Sequence, residues 1–170
     1  LEVTLESAPS SEVVMKLLNV NQYEVLDTLK TDASGRFSYK VNIEKDQPEF
    51  VYVYYNDKRV VSLLLEAGDK VEVKADTLGN YTVEGSEESA RLAIVEHEYS
   101  AAQKRLQTIA TQMEAAEGEQ AAALQQTLGK EYVNYYRQCV KYILENSRSL
   151  TVVPVLYQNF GANLPVFGQN

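Results

Sequence analysis

The chain has 170 residues, with 16 Lys and Arg against 24 Asp and Glu, a formal charge of -8 and a pI near 4.8. Its basic residues never run beyond two in succession, which argues against a nucleic-acid footprint or a patch for anionic membranes. A single cysteine, Cys139, leaves no internal disulfide and no Cys/His set for a structural zinc.

From residue 1 to about 85 the apolar pattern has period two, rich in Val, Tyr, Leu and Thr and punctuated by turn signals, an all-β texture. The alternation predicts eight strands: Leu1 to Ser7, Glu12 to Val20, Tyr23 to Thr31, Arg36 to Ile43, Glu49 to Tyr55, Lys58 to Glu66, Lys70 to Ala75 and Tyr81 to Glu84. Short strands with tight connections point to an antiparallel sandwich. In D-K-V-E-V-K-A-D, Val71 and Val73 alternate with charged neighbours, as on a sheet with one wet side. F-V-Y-V-Y-Y, residues 50 to 55, is apolar on both faces and belongs in a central position. In T-D-A-S-G-R-F, Asp32 can accept from nearby amides and Gly35 can take a positive φ. E-A-G-D at 66 to 69 works similarly, and Asn56 and Asp57 suit a two-residue hairpin.

At Ser86 the texture changes. Leu92, Val95, Tyr99, Ala102, Leu106, Ile109 and Met113 are spaced alternately three and four apart, the seam of one long helix. After an interruption around Gly118, Leu124, Leu128, Tyr132, Tyr135, Cys139 and Ile143 form a second stripe, and the two helices are expected to pair as an antiparallel hairpin. The second helix carries an extra apolar row, Val133, Tyr136, Val140 and Leu144. A helix apolar on two sides needs two neighbours. The remaining residues, with Pro154 and Pro165, predict a short helix and then a linker. The expected class is therefore α+β, with a sandwich over 1–85, a helical hairpin over 86–146, and a short helix and linker over 147–170 leading toward a further domain.

Few residues invite a chemical reading. In G-S-E-E-S, Ser86 lacks the second glycine of a nucleophile elbow. The only histidine, His97, lies roughly 16 Å along the same helix. Gly85 ending a strand, Ser86 capping a helix, and Glu87 and Glu88 against its positive end account for every residue. His97 has no metal-ligating neighbour three or four residues away and faces outward in the heptad frame. Cys139 reads as a small buried hydrophobe. Tyr52 and Tyr54 share a strand face with Phe50, suited either to core packing or to stacking on a sugar. No phosphate-cradling loop is present, no pair of acids is placed by spacing alone for glycoside chemistry, and no cofactor or metal is expected.

The order of three motifs carries a resemblance: T-D-A-S-G-R-F, then L-L-E-A-G-D-K-V-E-V, then Y-T-V-E-G-S-E-E-S-A-R-L leading into a long helix. It resembles an uncharacterised amino-terminal domain of exported Gram-negative thiol-disulfide oxidoreductases, where it precedes a thioredoxin-like domain of the AhpC/TSA or TlpA type. The resemblance implies a periplasmic or outer-membrane-associated protein with its signal removed and a lipid anchor upstream of Leu1. It also implies that redox chemistry belongs to a C-x-x-C pair in the following domain, with no such role for Cys139. The resulting expectation is a non-catalytic accessory module. Its partner is a thioredoxin-like domain of the same polypeptide or a homodimer mate, with Tyr136 and Val140 at the interface. The alternative is a glycan- or peptide-binding module of a surface lipoprotein, using Tyr52 and Tyr54.

Overall fold

The computed structural model describes residues 1–19, 22–156 and 158. The chain forms two compact units, Leu1–Ile94 and Val95–Asn170. The first holds β1 (Glu2–Leu5), β2 (Glu12–Asn19), β3 (Gln22–Lys30), β4 (Arg36–Ser38), β5 (Glu49–Tyr55), β6 (Lys58–Leu65), β7 (Glu72–Ala75) and β8 (Tyr81–Glu84). Helix α1 (Glu87–Glu114) starts within it and continues into the second unit, which adds α2 (Glu119–Glu145) and α3 (Val152–Leu156). The α+β class expected from the two textures is the class observed. The expected linker lies, apart from Gln158, outside the described residues.

Two four-stranded sheets, ordered β4-β1-β7-β8 and β3-β2-β5-β6, share one core. Val3, Leu5, Phe37, Val73 and Ala75 of the first meet Val13, Met15, Val51, Val53, Val61, Leu63 and Leu65 of the second. The expected antiparallel sandwich is observed with one parallel pair in it: β1 runs parallel to β7, Glu2 opposite Glu72 through Leu5 opposite Ala75. Every other strand pairing among the described residues is antiparallel. The fourth strand is also shorter than its alternation suggests. The amide of Tyr39 donates the last rung to the carbonyl of Leu1 at 2.9 Å. Beyond it Val41 and Ile43 still pack against the core without a ladder.

Local chemistry sets the turns. The Asp32 carboxylate accepts from the amides of Ser34 at 2.8 Å and Arg36 at 3.0 Å. Those backbone bonds, Arg36 first, hold its carboxyl below the ordinary range. Gly35 has φ +78, and a Cβ there would stand 2.2 Å from the Leu5 carbonyl oxygen, so glycine is required on both counts. Asn56 and Asp57, with φ of 50 and 60, make the left-handed two-residue turn that matches the strand twist of the β5–β6 hairpin.

β5 is interior to its sheet, as its two-sided apolar pattern requires, whereas β6 is an edge. An edge strand leaves alternate amides and carbonyls unpaired, and inside a fold each one must find a partner. At Leu64 the partner comes from the start of α1. The Ser89 hydroxyl accepts from the Leu64 amide at 3.0 Å and donates to the Leu64 carbonyl at 2.9 Å. Ser86 accepts from the Ser89 amide at 3.1 Å, the N-cap bond, and its hydroxyl also donates to Leu64 at 3.3 Å. Gly85 makes the joint: φ is +92, and a Cβ would come within 2.0 Å of the Lys70 carbonyl oxygen. The first compact unit runs past the last strand to Ile94 and so includes both serines.

In the second unit Val95 and Ala102 of α1 pack with Tyr135 and Cys139 of α2 and Val155 of α3. Tyr99 meets Tyr135 at 6.4 Å between ring centroids, and Arg105 donates to Glu131 at 3.1 Å. These pairs ascend along α1 and descend along α2, the sense of an antiparallel pairing.

The two serines make different predictions. Ser86→Ala removes the cap bond and the longer bond to the Leu64 carbonyl, which keeps its Ser89 donor, and should cost about 1 kcal/mol. Ser89→Ala strands a buried strand amide, which costs about 1–3 kcal/mol. Denaturant unfolding should therefore rank Ser89→Ala as the more damaging. The reverse order would contradict edge closure by Ser89.

Candidate functional site

Ser86 was the one residue whose sequence setting suggested a nucleophile. Its hydroxyl is buried and engaged with the Ser89 amide and the Leu64 carbonyl. His97 is exposed on α1. Among the described residues no three His, Cys, Asp or Glu side chains are grouped to hold a metal.

Tyr52 and Tyr54 do lie together, but away from the core between the sheets. Val51 and Val53 fill that core, so by strand alternation Phe50, Tyr52 and Tyr54 point to the opposite face of the sheet. Tyr52 is 5% exposed. Arg59 lies over its ring at 4.9 Å, and Tyr23 meets it edge-on at 5.4 Å. The Lys16 ammonium stands 4.0 Å over Tyr54. A sugar seeking an aromatic face here competes with the protein's own cations. Lys16, Tyr23 and Arg59 come from other strands, and sequence spacing gave no sign of them.

Tyr136 and Val140 belong to the other unit and face away from its core. Along α2 the buried stripe centres on Tyr135 and Cys139, while Val133 is 43%, Tyr136 41% and Leu144 75% exposed and Val140 is half-buried. A shallow open groove along this row is lined by Tyr136, Arg137, Val140, Lys141, Leu144 and Glu145. The two apolar sides expected for this helix are thus one covered and one exposed.

The covered side is fastened by a polar zip. The Tyr135 hydroxyl donates to Gln158 Oε1 at 2.5 Å, and the Cys139 thiol approaches the same oxygen at 3.8 Å. Farther along α2, the hydroxyl of Tyr142 bonds that of Thr151, which also meets Ser149 at 2.7 Å. Positions 135 and 139 on one helix thus face 158, and position 142 faces 151, with Val155 buried in the same cluster. Burial pushes the Cys139 thiol above its ordinary pKa, assisted by the Glu98 charge and opposed by its bond to Tyr135. Burial raises the Tyr135 phenol as well. Both groups stay protonated through neutral pH, and a protonated thiol is a poor nucleophile. Gln158 and Thr151 were invisible as partners in the sequence, because side-chain bonds between segments leave no periodic trace.

Tyr135→Phe should cost about 1 kcal/mol of stability by removing one buried hydrogen bond. In the native protein a thiol reagent should label Cys139 at least about tenfold slower than in denaturant. Equal rates would show that the thiol is not enclosed.

Comparison with curated proteins and with solved structures finds no match. One family model, Domain of unknown function (DUF4369), matches residues 1–92. That span takes in both sheets, the Gly85 joint and the Ser86 and Ser89 closure of β6, nearly the whole first unit. It covers more than half of the chain, which belongs to the DUF4369 family.

Proposed function

We propose that the chain is a non-catalytic accessory module of a periplasmic thiol-disulfide oxidoreductase, presenting α2 as a docking face for a thioredoxin-like domain. The observation that carries this reading is the outward row of α2. Val133, Tyr136, Val140 and Leu144 form a continuous apolar strip on a helix whose opposite side already has its partners. Exposed apolar strips with polar borders mark interaction surfaces. The motif order T-D-A-S-G-R-F, L-L-E-A-G-D-K-V-E-V and Y-T-V-E-G-S-E-E-S-A-R-L supports the association with oxidoreductases and the exported setting. The engaged hydroxyl of Ser86 and the protonated thiol of Cys139 support a module that leaves chemistry to its partner.

The test is a titration of the isotopically labelled chain with the thioredoxin-like domain of its own reading frame. Methyl resonances of Val133, Val140 and Leu144 should shift. Leu144→Asp should weaken binding about tenfold or more, the loss of one apolar anchor, with helicity unchanged. A reading frame without a C-x-x-C domain, or a titration that leaves those methyls unmoved, would contradict the proposal.

A further inference from the structure

The charges beside the outward row of α2 say what kind of surface fits it. At about 100° per residue, Val133, Tyr136, Val140 and Leu144 fall within roughly 80° of arc. Lys130, Arg137 and Lys141 follow one another along one border of that arc, and all three are exposed. The other border turns toward the half-buried Tyr132 and Ile143, which pack on the unit's core. With three cations against the single carboxylate of Glu145, the charged margin of the strip is net cationic, in a chain whose formal charge is -8. Glu145, which also lines the groove, lies farther round the helix than Lys141 and 3.9 Å from it, so it offsets part of that charge.

We infer that this face is built for a partner surface with an apolar strip rimmed by carboxylates, and that its cationic margin keeps a second copy of the chain from taking that place. The inference rests on the reading of the outward row as a docking face. Two-fold antiparallel pairing about Val140 sets Tyr136 against Leu144 of a second copy. It also brings like margins together, because the symmetry axis leaves each margin on its own side. Arg137 then faces Lys141 of the other copy, twice over, with Glu145 set behind that lysine, and the net like charge of the two margins opposes association. Parallel pairing sets the cationic margin against Tyr132 and Ile143, which offer no carboxylate. An acidic rim on another protein meets that one basic border with attraction. A membrane-surface helix needs a broad cationic face, whereas here a single border is basic and the whole chain is anionic.

The double variant Arg137→Glu/Lys141→Glu is itself the probe, since it carries the same apolar strip with a carboxylate margin. In analytical ultracentrifugation the wild-type chain alone and the variant alone should stay monomeric. An equimolar mixture should form a heterodimer that dissociates as added salt screens the paired margins. The neutral variant Arg137→Gln/Lys141→Gln should self-associate more than wild type, which keeps the test open if the charge reversal disturbs folding. Circular dichroism checks both variants. A mixture that stays monomeric, wild-type self-association, or binding of wild type to phosphatidylglycerol vesicles would each overturn the inference. Titration with the thioredoxin-like domain reads the docking reading separately. If that succeeds while the mixture stays monomeric, only the charge-gated partner choice fails.

Discussion

The bond that much of the first unit depends on is the one between the Ser89 hydroxyl and the backbone of Leu64. A sandwich of two four-stranded sheets has four edges, and an edge strand as apolar as β6 is a standing template for pairing with another chain. Here the helix supplies the missing rung. Ser89 meets the amide and the carbonyl of one residue at once, and Ser86 both caps the helix and reaches the same carbonyl. Gly85 is tied to that arrangement, because the backbone passes too close to Lys70 for any Cβ. The family span ends at Leu92, three residues beyond Ser89, as expected if the first turns of α1 belong to the domain they close.

The second unit is organised by α2, whose two sides are treated oppositely. One is fixed by Tyr135, Cys139 and Tyr142 against α3 and its flanking residues, with hydroxyl, amide and thiol groups satisfying one another. A buried network of that kind specifies one arrangement, since each group left unpaired costs free energy. The other side exposes Val133, Tyr136 and Leu144. That exposed row is the observation on which the proposed docking face rests.

Much of this was legible in the sequence where a residue's role depends on its neighbours along the chain. The limits of β5 and β8, the Asn56-Asp57 turn, the Asp32 loop and the Ser86 cap are all local, and each is found where the pattern puts it. Period two says which face a strand residue takes but not which strand lies beside it. The parallel β1–β7 pair was therefore hidden, and so was the early end of β4 at Ser38. The same limit explains Tyr52. Its alternation with Val51 and Val53 was plain, yet the Arg59 and Tyr23 that cover it come from β6 and β3. Ser89 was overlooked because S-x-x-S looks like a cap followed by an ordinary helix residue, and only the nearness of Leu64 gives it a second task.

The central claim is that the outward row of α2 meets another domain. The most direct measurement places a photoreactive benzophenone side chain at Tyr136 in the intact polypeptide and maps the crosslinks by mass spectrometry. Crosslinks into a thioredoxin-like domain, near its acidic residues, are the predicted result. Crosslinks to α2 of a second copy, or none at all under conditions where the same probe at an enclosed position reacts, would contradict the account.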